Sequence, residues 1–381
     1  VAARLSCYRV ITKAAKKVSQ LSGLEVKSSD SLMLDYVKAL GIISVVIGHY
    51  PGDPFVFFKP YVYHMPLFFF LGGVLLNTRR SLLSHSANLI KKHLSYIVMV
   101  YLLLALIFAI LHQLYPIAYT SLWRGNVLDS MLYPIEQSFH GGSYFFVGWF
   151  LFAYAIVSLL CFIVVNVLVK ALSSPTQLQA AVLIIALLLG YAGMDYVADL
   201  YQASKLFYLN LLAQVLVGSS FFLLGYAGKH LIMKHSGFYS FIAAFVLIYL
   251  MSQYDVLEPL VIAWSKYQVS FVFQTLTALA GIVAVFSIAK IIAHYQHIPL
   301  LKHIGQQSKP IMSYHILAFV LLDIIFSWFG LWDLHNTKAL NHYYSEFTWP
   351  IYIGLGVAIP MCLHAAYQHT KHKLPLLTPK A

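Results

Sequence analysis

Charge is what this sequence has least of. Only 10% of its 381 residues are Asp, Glu, Lys or Arg, while 60% are hydrophobic. A soluble domain carries roughly 25% charged residues to cover its surface. The shortage is also uneven, because long apolar runs alternate with short polar segments. A soluble fold would expose those runs and aggregate, so the expected solvent is lipid. Cysteine is nearly missing too. Cys7, Cys161 and Cys362 show no paired spacing and argue against a disulfide framework or a cysteine metal site. No P-loop, dinucleotide fingerprint or GxSxG elbow is present, and no HxxxH or His–carboxylate pair at ligand spacing lies in an apolar run. No metal is therefore expected. Internal repeats, low-complexity tracts and a second domain are also lacking. Residues 1–31 have no apolar central stretch, so no cleaved signal peptide is expected.

What is there reads as an all-α integral membrane protein with about ten transmembrane helices. The predicted spans are 32–50, 61–77, 94–114, 144–169, 179–193, 206–227, 238–253, 269–292, 308–330 and 348–367. Several approach the ~20 residues a helix needs to cross a bilayer; those at 61–77 and 179–193 are shorter. The net charge of +12 is read as membrane orientation rather than affinity for nucleic acid. With a cytosolic N-terminus, the inside segments collect Arg4, Arg9, Lys13, Lys16, Lys17, Lys27, Arg79, Arg80, Lys91, Lys92, Lys170, Lys229, Lys234, Lys302, Lys371, Lys373 and Lys380. The outside loops hold only Lys59, Arg124, Lys205, Lys266 and Lys338, together with most of the acidic residues. This asymmetry places both termini in the cytosol. Residues 1–31 form a basic amphipathic segment in which Tyr8, Ile11, Ala15 and Val18 recur at helical spacing, as in a helix lying on an anionic leaflet. Residues 32–370 are the membrane domain and 371–381 a basic tail.

Ionisable groups inside spans are costly and usually face a cavity. The first span, LDYVKALGIISVVIGHY, contains Asp35, Lys38 and His49. Eleven residues separate Lys38 from His49, three turns plus ~20°, so both project from one face about 16 Å apart along the axis. Asp35 lies one turn from Lys38, a spacing that permits an ion pair. Those two could simply anchor the helix at the inner interface; His49 has no such explanation. The second span runs back from the outside and places His64 at a similar height, so two imidazoles can converge on one chamber. Gly72 and Gly73 let a backbone or a slim ligand approach closely. In the ninth span His315 sits about two turns inside the inner face and Asp323 deeper. A carboxylate at that depth needs a partner, so this helix is expected to face the same cavity. Trp149, in GWFL at 148–151, belongs either to the outer aromatic belt or to the cavity lining. Histidine-based acyl transfer survives the eliminations above, since it needs only a base, a donor channel and an acceptor pocket.

These segments together resemble the membrane-bound acyltransferase-3 family, especially its polysaccharide O-acetyltransferase and fucose 4-O-acetylase-like branch. Lys38 and His49 match the family's basic residue, ten residues, then histidine. His64 to Gly73 match its histidine–apolar–Pro-Leu-Phe run. Ile304, Gly305, Ser308 and His315 match a late isoleucine-glycine, serine, histidine segment, and GWFL is similar to a Trp-Phe-Leu span opening. The motifs occur in the family's order over about residues 32–370. One departure is Gly72-Gly73, where the family often has Ser-Gly, so no hydroxyl is available there. With no esterase-like domain expected after the last span, the membrane domain must finish the transfer itself.

The resemblance implies acetyl-CoA as a cytosolic donor and, as acceptor, a sugar hydroxyl of an envelope polysaccharide, exopolysaccharide or lipid-linked glycan at a bacterial inner membrane. Under it, Lys38, Asp35 and His315 serve the donor, Lys38 by meeting the phosphates of coenzyme A. His49, with His64, is catalytic, as general base on the hydroxyl or as transient acetyl acceptor. Gly72, Gly73, Trp149 and Asp323 line the cavity. Two other classes are kept open by intramembrane charge: a secondary transporter or flippase, which should show repeated, Gly/Pro-broken spans, and a non-catalytic sensor or assembly partner.

Overall fold

A computed structural model describes residues 28–52, 59–121, 123–140 and 144–373. Among them no β-strand forms; two isolated bridges, Val261–Lys266 and Lys338–Asn341, are the nearest approach to one. This is an all-α integral membrane protein. In lipid a backbone must satisfy its own polar groups, and helices do so within one segment.

The helices follow in order. They are α1 (Ser28–His49), α2 (His64–Val74), α3 (Leu82–Leu89), α4 (Ser95–Leu114), α5 (Val127–Glu136), α6 (Gly148–Ala171), α7 (Pro175–Tyr191), α8 (Ala198–Ser204), α9 (Phe207–His235), α10 (Phe238–Gln253), α11 (Phe271–Tyr295), α12 (Pro299–Gln306), α13 (Ser308–Trp328) and α14 (Trp349–Lys373). A π-helical turn, Ile90–Leu94, joins α3 to α4, and another, Ala192–Val197, joins α7 to α8. Eight helical stretches are long and apolar enough to cross a membrane; α2 and α10 are shorter apolar helices. In chain order these occupy the positions of the expected spans. The segment at 179–193 is longer than its apolar run suggested. Its helix continues through the π turn to Ser204, a stretch of 30 residues, and Asp195 in that turn accepts from Phe271 N at 3.0 Å, at the start of α11. The amphipathic segment proposed within 1–31 lies, up to residue 27, outside the described residues, as do residues 374–381 of the tail.

Helix α4 shows how lipid shapes the pattern. Ile97, Val100, Leu104 and Phe108 recur on one buried face, while Leu102, Leu106 and Ile110 on the other are more than half exposed. Apolar residues all round a helix are tolerated only where the outer face meets hydrocarbon. Helices α1, α9, α11 and α13 are mostly buried and form the centre of the bundle; α4 and α14 lie outside.

Close backbone approach fixes the centre. A Cβ on Gly73 would lie 1.8 Å from Phe222 O, and one on Gly225 would lie 2.0 Å from Phe70 O. Helices α2 and α9 therefore touch backbone to backbone through a reciprocal glycine pair. Without a hydrophobic force between helices in lipid, such contact supplies the packing energy. Gly305 does the same for α12 on α1, where an added Cβ would lie 1.9 Å from Asp35 O.

Candidate active site

Helix α1 ends on His49, and α13 brings His315 alongside it. His315 Nδ1 lies 3.0 Å from Ile311 O, the carbonyl one turn back. A carbonyl only accepts, so that nitrogen carries the hydrogen, and Nε2 of the neutral ring is an acceptor. His315 Nε2 lies 2.9 Å from His49 Nδ1. His49 Nδ1 therefore donates, and His49 Nε2 keeps its lone pair. Both rings are buried. A helix backbone thus sets the tautomer of one histidine, and that histidine sets the tautomer of the next.

The other imidazole is prepared in the same way. His64 opens α2 directly after the 3-10 turn Pro60–Val62. Its Nδ1 donates to Pro60 O at 2.6 Å, which leaves Nε2 as its acceptor. The His49 and His64 rings stand 6.5 Å apart and edge to face. Tyr61 approaches His64 at 5.0 Å and Phe146 approaches His49 at 5.1 Å, centroid to centroid.

Both histidines line a cavity of about 290 Å³, whose walls include Trp149, Phe146, Met312 and the segment 259–264. Among the described residues no carboxylate and no cationic Lys or Arg lines it. The wall at 259–264 is irregular backbone held by side chains. Ala263 O accepts from Asn210 at 3.1 Å and Gln214 at 2.8 Å, and Trp264 O accepts from Gln202 at 2.8 Å. Leu260 N donates to Tyr61 O at 3.1 Å, tying that wall to the turn before His64. Non-helical backbone inside a membrane protein is tolerated where it borders a cavity and is internally satisfied. Among the described residues no three His, Cys, Asp or Glu side chains converge as a metal-ligand set. The chamber is therefore an apolar box with two oriented nitrogen bases. That arrangement suits proton transfer or nucleophilic attack on a neutral, polarised group.

A family model described as an acyltransferase domain matches residues 32–365. The chain belongs to the acyltransferase-3 family. No curated protein and no solved structure matched it. The protein is thus a membrane acyltransferase, and the histidine chamber lies inside its acyltransferase domain.

The other residues singled out in the sequence are spread over several places. Trp149 lines the histidine chamber. Asp35 and Lys38 form an ion pair at 2.5 Å, and Gln306 Nε2 donates to the other carboxylate oxygen at 3.2 Å; neither Asp35 nor Lys38 lines the chamber. Gly73 is occupied by the backbone of α9, whereas Gly72 borders a second cavity, of about 180 Å³, at the Arg80 end of α2. His315 stands behind His49, reaching the chamber only through it.

Asp323 does find partners at its depth. Its carboxylate accepts from Thr337 Oγ1 at 3.0 Å, His342 Nδ1 at 2.9 Å, Tyr343 N at 3.0 Å and Tyr352 Oη at 2.5 Å. It is fully buried and clamps the 329–348 connection to α13 and α14. Phe319 separates this cluster from the histidines, with its ring 5.9 Å from His315 and 5.2 Å from His342.

Sequence reasoning passed over His342, Tyr61, Phe146 and the 259–264 wall. His342 sits in a polar loop, where no apolar background makes a polar residue conspicuous, and the wall, PLVIAW, is an apolar run too short to read as a span. The signal that could have found His342 was the buried charge of Asp323, which required a donor from some connecting loop.

Proposed function

We propose that this acyltransferase moves an acetyl group from cytosolic acetyl-CoA to a sugar hydroxyl of an envelope polysaccharide, exopolysaccharide or lipid-linked glycan. The observation that carries this reading is the hydrogen-bonded relay Ile311 O, His315, His49, ending on an unprotonated Nε2 in an apolar chamber. In this scheme the acceptor hydroxyl enters from the His49 end and the thioester from the Arg80 end. The basic bias of the segment 78–93 puts the Arg80 end in the cytosol, with ten crossings and both termini inside.

His49 Nε2 takes the hydroxyl proton as the sugar oxygen attacks the thioester carbonyl. The new C–O bond forms, the C–S bond breaks, and the coenzyme A thiolate leaves and collects the proton from His49. The positive charge that develops on His49 is shared with His315 through the Nδ1 hydrogen bond. His64, 6.5 Å away, presents a second acceptor nitrogen to the same space. Aromatic walls such as Trp149 and Phe146 suit the apolar face of a sugar ring.

Purified protein in nanodiscs, given radiolabelled acetyl-CoA and an envelope glycan extract, tests the reading. Label should pass to glycan in an alkali-labile ester, and His49→Gln should abolish it. Recovery of all label as unreacted acetyl-CoA, with the glycan instead moved across a vesicle membrane, would point to a flippase.

A further inference from the structure

The second cavity is chemically the reverse of the first. Arg80, Lys92, His85, His93, Asn77 and Asn88 line it, with no carboxylate among the described residues. Neither Arg80 nor Lys92 has an ion-pair partner among the described residues; Lys38, by contrast, is engaged by Asp35. His93 Nδ1 is buried and has no hydrogen-bond partner. The π-helical turn Ile90–Leu94 carries Lys92 and His93; such turns are frequent at functional sites. A third cation, the ammonium of Lys309 at the start of α13, donates to the Lys92 carbonyl. Unpaired cations around a concavity, with a buried ring nitrogen awaiting a partner, make a site for an anion rich in oxygen acceptors.

The two cavities share their walls. Helix α2 borders the histidine chamber with His64 and Met65 and the basic cavity with Gly72, and Leu75 and Leu76 just beyond its end line that cavity too. Eight residues from His64 to Gly72 correspond to about 12 Å. Helix α6 likewise offers Trp149 and Phe150 to one cavity and Tyr154 and Ser158 to the other. Between them stands a short stack of rings. Tyr154 lies 5.6 Å from His93 on one side and 5.7 Å from Phe150 on the other. The basic cavity and the histidine chamber therefore lie along the same two helices, one aromatic layer apart.

We propose that the Arg80–Lys92–His93 cavity seats the phosphate groups of the thioester donor, whose arm crosses the Tyr154 layer to bring its thioester to His49. This rests on the reading of coenzyme A as the donor carrier. The cations face the side assigned to the cytosol, where that donor is found.

The test is binding of radiolabelled coenzyme A, without an acyl group, to the full-length protein in phosphatidylcholine nanodiscs. Arg80→Gln and Lys92→Gln should each weaken coenzyme A about tenfold, as expected for one lost charge-assisted contact. Lys170→Gln, at the far end of α6, should change nothing. Acetyl transfer from S-acetylpantetheine, which has no phosphate, should continue in both cavity variants, and this shows that they fold. If both variants bind coenzyme A as wild type does while wild type transfers acetyl from acetyl-CoA, the donor reading stands and this site is wrong. If wild type neither binds coenzyme A nor transfers acetyl, the donor reading falls and the site assignment with it. If phosphatidylglycerol in the discs displaces coenzyme A, the cavity holds a lipid headgroup and the proposal is overturned.

Discussion

At the scale of single residues, the chemistry depends on which nitrogen of each histidine holds its proton. Backbone carbonyls decide this at His64 and His315, and His315 decides it at His49. His49→Gln should therefore lower acetyl transfer by about 10²–10⁴-fold, the usual worth of a positioned base, at unchanged expression; an active, well-expressed Gln variant would remove His49 from the chemistry. His315 is a positioning residue with a different signature. Gln at 315 can still offer an oxygen to His49 Nδ1–H, whereas Leu cannot. His315→Leu should reduce kcat at least about tenfold more than His315→Gln, with KM little changed in either. Equal losses in the two variants would mean that His315 only fills space. The sequence made His49 conspicuous, because a histidine closing an apolar span lacks an ordinary reason. It could not reveal the His49–His315 bond. His49 lies near one end of α1 and His315 was counted two turns from the opposite face, so their meeting depends on how α1 and α13 pack.

At the scale of elements, the legible part was apolar run length, and the illegible part was backbone detail. Nothing in ALLLGYAGMDYVADL announces that the helix persists through a π turn; Gly190 and Gly193 read more naturally as its end. The glycines of α2 were recognised as points of close approach, and the structure divides them. Gly73 meets the α9 backbone, while the Cβ of an alanine at 72 would meet the Tyr154 side chain, with Oη at 2.6 Å. Backbone cannot give way as a ring can. Gly73→Ala should therefore abolish the monodisperse peak in fluorescence-detected size exclusion, while Gly72→Ala should retain it; the reverse order would contradict the α2–α9 contact. Asp323 acts at this scale too, holding α14 and the 329–348 connection to α13. Asp323→Asn puts an amide NH₂ where four donors converge, a clash of donors worth about 1–3 kcal/mol for each group left unsatisfied. Its Tm should fall clearly, while transfer by the protein that remains folded should stay close to wild type.

At the scale of the whole molecule, the arrangement is a bundle with chemically opposite ends. The cavity at one end of α2 and α6 is apolar and carries two imidazoles, and the cavity further along them is basic, with Arg80 and Lys92. The proposed transfer from coenzyme A would use this polarity, because that donor is a polyanion and the acyl-transfer step needs an unprotonated base. The order of the spans was legible in the sequence, since long apolar runs alternate with short polar segments. The pairing of Lys92 with His93 at a cavity was not, since both read as part of an ordinary inside loop. Orientation is the claim on which the direction of transfer depends. In a cysteine-free background, a cysteine at Arg79 should react with a membrane-impermeant maleimide only after the membrane is opened. One at Lys338, exposed on the connection that Asp323 holds, should react in intact cells. Eight long helices alone, with α2 and α10 both failing to cross, would move Arg79 to the outside and leave Lys338 where it is. Labelling of Arg79→Cys from outside would put the basic cavity away from the cytosolic donor, and overturn the route by which the thioester is proposed to reach His49.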